Sequence, residues 1–412
     1  MKQSALILFL VQACFTLTSA ATLDVGTAAP FKFIRSAIVA AMPYDTIRVS
    51  PGMYREGNII IDKPLVMTGV GFPVLDGQLK FEVVSIKASH VVFEGFRVEN
   101  SGVSTLDDPG GIKVYDSRHV TIRNNVLRNN FFGIYLQYSA QCIIRGNSIA
   151  ATATEEQQIG NGIHCWKSDS HQIVANEVSG HRDGIYFEFV TNSVIWRNIA
   201  WGNIRYGLHF MFSNQDAYFS NVFTNNGAGV AVMFTRNVTM MNNTFRENWG
   251  DAAYGLLLKE ISDSFIMGNK FYRNTSGIFM EGTNRIVVER NSFDANGWAM
   301  KIQASCMDNN IRNNNFTGNT FDISTNGTLV LNKFDGNYWD KYEGYDLDRD
   351  AVGDIPYHPI SLFSMIVEMN PPAMLLYRSF LVTLLDRSEK LLPSLTPDAF
   401  RDDAPVMKAF DL

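Results

Sequence analysis

Ten times between Gly111 and Phe321 the chain returns to one phrase, and the usual step from one occurrence to the next is about 22 residues. Self-similarity at such a short period marks a solenoid, in which a repeat buries its apolar face only by stacking on the next one. The phrase opens as GIKVY at Gly111 and returns as GIYLQ at Gly133, GIHCW at Gly162, GIYFE at Gly184 and GLHFM at Gly207. It continues as GVAVM at Gly229, GLLLK at Gly255 and GIFME at Gly277, then degenerates to AMKIQ at Ala299 and FDIST at Phe321. The steps from Gly133 to Gly162 and from Gly229 to Gly255 are longer than the rest and read as insertions into single coils. Those insertions should share one function if they share one edge.

Within the phrase the second and fourth residues are apolar while the third and fifth vary, a period of two that predicts a strand with one face inward. A second landmark is an Asn pair five residues apart: Asn125/Asn130, Asn198/Asn203, Asn221/Asn226, Asn243/Asn248, Asn269/Asn274, Asn291/Asn296, Asn314/Asn319 and Asn332/Asn337. A buried amide must find partners, and identical amides stacked from coil to coil at about 4.8 Å satisfy one another in a ladder. Asn also tolerates the left-handed backbone conformation of turns. The expected fold is therefore all-β, a right-handed parallel β-helix built from repeated coils of this one length.

A solenoid grows by repetition, so 412 residues need only one long domain. The net charge of −6 is scattered, and no basic stripe offers the electrostatic footprint of a nucleic-acid binder. Lys2, the apolar run 5–15 and the small residues Thr18, Ser19 and Ala20 have the three regions of a secretory signal peptide, with cleavage expected after Ala20 and export to the periplasm. Cys14 ends a poor version of a lipoprotein box, so lipidation is the alternative. The mature chain would keep Cys142, Cys165 and Cys306, an odd number without close spacing, and buried thiols rather than a disulfide framework are expected.

The expected organisation is a signal peptide over residues 1–20, a β-helix with its N-terminal cap over 21–345, and a C-terminal cap or docking tail over 346–412. An open solenoid end invites edge pairing, so the segment before Asp45 should supply a short capping helix. The tail carries a helical apolar pattern after Pro372, interrupted by Arg378, Asp386 and Arg387. No run reaches the roughly 20 apolar residues of a membrane span. Two readings stand for the tail: a helix folded back on the last coil, or an arm that docks a membrane partner through Met374, Leu375, Tyr377, Phe380 and Leu381.

Three chemistries compete for the outward strand faces. Counting the phrase's glycine as zero, outward positions two and four hold His164 and Trp166, Tyr186 and Glu188, His209 and Met211, then Met233. Met211 and Met233 fall in register on neighbouring coils with His209 on the same face, a thioether and imidazole set that suits Cu(I). The alternative is that the two methionines cover an apolar lateral patch. Secondary candidates are His164 and the pair Met241 and Met267, each two residues before a ladder Asn. His171 and His181 lie at predicted turns and should be solvated, while His90 and His119 read as structural. Calcium is a weaker possibility at Asp346, Asp348 and Asp350, because Ala351 stands where a calcium loop needs glycine and no terminal Glu follows. A carbohydrate-binding or polysaccharide-modifying β-helix, of lyase or epimerase type, is the competing class. Its acidic candidates Asp183, Glu188, Glu260 and Glu281 form no evident pair, so no catalytic residue is assigned.

The signal peptide, the PGMYREG opening, the Gly-Ile and Asn repeats, the GDIPYHP junction and the tail from NPPAMLLYRSF to DDAPVMK together resemble the NosD family, periplasmic accessory proteins of nitrous oxide reductase maturation. The resemblance covers essentially the whole mature chain, and the junction and tail are its specific part. It implies a non-enzymatic subunit of an ABC-type complex with a membrane permease and a cytoplasmic ATPase. It further implies a copper chaperone that passes Cu(I) to this chain, and the nitrous oxide reductase apoprotein, with its copper-sulfur centre, as the destination. The acidic loop departs from the family's glycine-richer form at Ala351.

Overall fold

Each coil is built from three short strands whose apolar residues alternate, so every strand turns one row of side chains into a common interior. The computed structural model describes residues 20–104, 106–152, 154–250, 253–327, 331–391 and 400–412; the expected signal peptide lies outside them except for Ala20. Among the described residues the strands form three parallel sheets of 14, 12 and 13 strands. One coil shows the plan: Val194–Trp196 in the 14-stranded sheet, Ile199–Trp201 in the 13-stranded sheet and Tyr206–Met211 in the 12-stranded sheet. Register places like on like, as in Ile122 beside Ile144 and Phe271 beside Phe293. The interior row of the 13-stranded sheet becomes an aromatic spine through Phe223, Phe245, Phe271, Phe293, Phe316 and Trp339, with successive ring centroids 4.1–5.6 Å apart.

The corner between the 14- and 13-stranded sheets holds the first amide ladder. Asn221 is typical: its backbone N–H and its Nδ2 both donate to Asn243 Oδ1 at 3.0 Å, and Nδ2 also donates to the carbonyl of Ile195 at 2.9 Å. The ladder runs Asn125, Asn147, Asn176, Asn198, Asn221, Asn243, Asn269, Asn291, Asn314, Asn337. Asn147 and Asn176 lack an Asn five residues later, which hid them from a search for pairs. The left-handed conformation falls on the residue before each amide, such as Asn124, Arg197 or Asn242, and not on the ladder Asn itself. Asn332 is out of place in the predicted pairs, since Asn337 belongs to the first ladder and Asn332 accepts from Asn309 at another corner. Phe321 pairs with Trp298 rather than Ala299, so the last phrase is shifted by one residue.

A second ladder at the exit of the 13-stranded sheet runs from Asn203 through Asn226, Asn248, Asn274 and Asn296 to Asn319. Its preceding position is filled by His181, whose N–H donates to Asn203 Oδ1. His181 and His171 are both buried, which corrects the expectation that they are solvated. His171 accepts the N–H of Cys142 at Nδ1, at the corner that enters the 14-stranded sheet. Cys142, Cys165 and Cys306 are buried free thiols.

The ends close differently. Helix Ile34–Ala40 covers the first coils with Ile34, Ala37 and Ile38 buried. At the other end residues 400–412 return to the last coil, where Phe400 is fully buried and Asp402 accepts from Asn337 and Trp339. Helix Leu362–Met369 does not cap that end. It lies against the outer face of the 12-stranded sheet, burying Phe363 and Val367 with Phe321 and Val382, and Glu368 meets Lys301 at 2.9 Å.

Two stability measurements test this architecture. Asn243→Ala strands the donors of Asn221 and the carbonyl of Tyr218, and should lower stability by about 1–3 kcal/mol or more in urea melts. Burial lowers the His181 pKa to about 4, against 6.5 when exposed. Above pH 6.5 both states are neutral there, and stability is lost as pH falls toward 4 because only the unfolded chain takes the proton. His181→Asn completes the ladder without a titrating group, so its acid-side stability slope should be shallower by about 1.4 kcal/mol per pH unit. An unchanged slope would mean that His181 is not buried neutral.

Candidate functional site

Four segments longer than an ordinary corner leave the solenoid at residues 77–83, 100–109, 151–162 and 247–253. All four connect the 13-stranded sheet to the 12-stranded sheet, so the insertions share one edge. Helix Leu362–Met369 occupies the same outer face further along. This side of the 12-stranded sheet is accordingly the covered one, and its outward residues Lys113, Tyr135, His164 and His209 are buried instead of exposed. For His209 and His164 that corrects the sequence expectation of an open face.

The outward row places Lys113, Tyr135, His164, Tyr186, His209 and Ala231 side by side on successive strands. Lys113 donates to the carbonyls of Asp107 and Asp108, and its ammonium lies 4.6 Å from the Tyr135 ring centroid. His164 stacks on Tyr135 at 4.5 Å and has Nδ1 3.3 Å from Asn161 Nδ2. Burial is the main cause that lowers its pKa to about 3, so the ring is neutral. His209 is walled by Tyr186 and Tyr206, with centroids at 4.7 and 4.9 Å.

Beside His209 sits Asp183, fully buried, held by Arg205 through Nε at 2.9 Å and Nη2 at 2.6 Å, with His209 Nδ1 3.4 Å from its Oδ2. Burial alone would raise this carboxyl; the hydrogen bonds of His209 and Arg205 and the guanidinium charge outweigh it and bring the pKa down to about 2. Nε2 of His164 and Nε2 of His209 are buried with no hydrogen-bond partner among the described residues. Sequence reading weighed Asp183 only as a free acid. The available signal was that Arg205 precedes Tyr206, the register partner of Asp183 on the neighbouring coil.

Two residues along the strand, the next outward row runs Trp166, Glu188, Met211, Met233, Lys259, Glu281. Met211 and Met233 are direct register partners and half-buried, flanked by Glu188 on one side and Lys259 on the other. The chain then turns through Phe189, Phe212 and Phe234, which stack at 5.2 and 5.1 Å. These rings are 45, 41 and 40 % exposed, and each residue has φ between 51 and 54°, a left-handed backbone that is costly for a side chain of this size. The thioether pair therefore sits between a buried imidazole row and an exposed aromatic rim.

The remaining candidates lie elsewhere. Met241 and Met267 are also register partners, but in the 14-stranded sheet, away from His209. His164 is two coils from His209 with Tyr186 between them, so the two imidazoles do not adjoin. Asp346, Asp348 and Asp350 bring one carboxylate oxygen each within 4.8 Å, and Asp346 also accepts the N–H groups of Arg349, Asp350 and Ala351. Ala351 takes φ 71°, the conformation a glycine would adopt freely. In the tail, Leu375 and Phe380 are 91 and 83 % exposed and Leu381 is exposed as well, whereas Met374 and Tyr377 turn toward Phe321 and Phe363. No helix among the described residues is long and apolar enough to cross a membrane.

Comparison with known proteins agrees with the repeat. A family described as "Periplasmic copper-binding protein (NosD)" matches residues 150–344, and one described as "Right handed beta helix region" matches residues 54–178. The "Probable ABC transporter binding protein NosD" of Pseudomonas aeruginosa is 28% identical over 383 residues, covering 87% of each chain. The protein of the same description from Stutzerimonas stutzeri is 26% identical over 380 residues, covering 88% of this chain and 86% of its own. Among solved structures, the A-module of the Azotobacter vinelandii mannuronan C-5 epimerase AlgE4 superposes with a TM-score of 0.53 at 16% identity, over 73% of this chain and 89% of that one. At that identity the likeness shows the fold alone.

Proposed function

We propose that the chain belongs with the NosD proteins it resembles and is a periplasmic, non-enzymatic Cu(I)-binding accessory protein that works with an ABC-type transporter. On this reading it receives Cu(I) from a copper chaperone and delivers it toward the copper-sulfur centre of the nitrous oxide reductase apoprotein, with ATP hydrolysed by a partner ATPase. The observation that carries the copper reading is the register of Met211 on Met233, with His209 on the same face. Two thioethers and a neutral imidazole are soft and borderline donors that hold Cu(I) without competing for hard cations. A hard cation such as calcium, if taken up, belongs at the separate carboxylates of Asp346, Asp348 and Asp350. The polysaccharide reading is less well supported, because Asp183, the buried acid of this face, is committed to Arg205 and His209 rather than to a second carboxylate.

The tail divides into a part that holds the solenoid and a part that does not. Met374 and Tyr377 belong to the first, and Leu375, Phe380 and Leu381 are the side chains available to a membrane permease.

Competition against a chromogenic Cu(I) chelator tests the site: the double variant Met211→Ala, Met233→Ala should bind Cu(I) at least tenfold more weakly, and wild-type affinity would exclude the pair as ligands. Docking is tested without truncation, since removing the tail would also strip Phe400 and Asp402 from the last coil. Leu375→Glu with Phe380→Glu should leave the thermal melt unchanged and abolish co-purification with the permease. Retention at wild-type yield would move the contact onto the solenoid.

A further inference from the structure

His209 is the one imidazole of the proposed copper set, and a neutral imidazole offers a lone pair from only one of its nitrogens. Which one is decided by the partner of the other nitrogen. Around His209 that partner is Asp183, a carboxylate at 0% exposure fixed by two hydrogen bonds from Arg205. A guanidinium can only donate, so it holds Asp183 as an acceptor, and an acceptor 3.4 Å from Nδ1 keeps the ring proton there. Nε2 is then left with its lone pair, buried and with no partner among the described residues. A buried acceptor without a donor is destabilising, and a ligand would remove that cost.

We propose that Asp183, clamped by Arg205, is a positioning residue that locks the tautomer of His209 and so makes Nε2 the imidazole donor to Cu(I). This rests on the copper reading of His209, Met211 and Met233 and adds the residues that set the ligand's protonation. A carboxylate behind a metal-bound imidazole fixes the ring's orientation and raises its basicity. Arg205 is supplied by the next coil, beside Tyr206, the register partner of Asp183, and its side chain is only one-third exposed.

The test has a copper-free arm and a copper arm. In the metal-free, 15N-histidine-labelled full chain, the His209 resonances, identified by their loss in His209→Gln, should show a protonated Nδ1 and an unprotonated Nε2. A proton at Nε2 in the wild-type protein overturns the lock. In Asp183→Ala the Nδ1-protonated form should lose its dominance, and the Cu(I) affinity should fall about 10- to 100-fold, the usual cost of losing such a partner. If the tautomer changes and affinity does not, while His209→Ala does weaken binding, the lock exists without serving the metal and the proposal fails alone. If His209→Ala binds Cu(I) as the wild type does, the copper reading of this residue fails first and takes the proposal with it. Should Asp183→Ala not fold, the wild-type spectrum still decides, because the position of the proton is read without any variant at Asp183.

Discussion

The shared side-chain amide is the interaction on which the rest of the solenoid depends. Each Asn of the first ladder after Asn125 accepts two hydrogen bonds from the preceding coil at one oxygen, and, as at Asn243, returns its own Nδ2 to both the coil before and the coil after. Such a group cannot be left half-satisfied in the interior, so the corner between the 14- and 13-stranded sheets tolerates no change in length. Variation is displaced to the exit of the 13-stranded sheet. There the 151–162 segment leaves a gap between Asn130 and His181, while the 247–253 segment leaves after Asn248 with the amide row intact. The position of the insertions, and hence of the covered face, follows from which corner can absorb extra chain.

The fold was legible because its signals repeat: the apolar alternation and the Asn positions recur often enough for one coil to correct the reading of another. Where the repeat degenerates, the reading slipped, as at Phe321 and Asn332, since a one-residue offset is invisible without the partner strand. The methionine pair was legible for the same reason as the core, namely that register alone places Met211 on Met233. Burial of His209 and His164 was not: Asn161, in a segment that carries no repeat, lies against His164, and the rings of Tyr186 and Tyr206 wall His209. The Asp183–Arg205 clamp sat between these cases: its spacing was in the sequence, but nothing in the pattern says that an outward acid will be enclosed.

The chemistry of the covered face is set by that enclosure. In the open, His209 and Asp183 would be ordinary solvated groups; on the covered face, Asp183 is held ionised by hydrogen bonds from His209 and Arg205 and by the guanidinium charge, and burial keeps His164 neutral. The adjoining Met211 and Met233 remain half-buried, next to an aromatic edge that is exposed and conformationally strained. A soft donor set lies where the protected and open regions of one sheet meet.

The amide ladder also has a direction, and its two ends are not equivalent. Every rung gives protons toward the C-terminal side, so the last one, Asn337, must find an acceptor, and Asp402 provides it while having no proton of its own to pass on. At the other end the first rung receives from the backbone of Phe96, whose side chain offers no oxygen to a further coil. A second molecule placed end to end therefore meets a row that neither starts nor continues. The polar spine that in a cross-β fibre would propagate without limit is, in this chain, a finite sequence with a written first and last term.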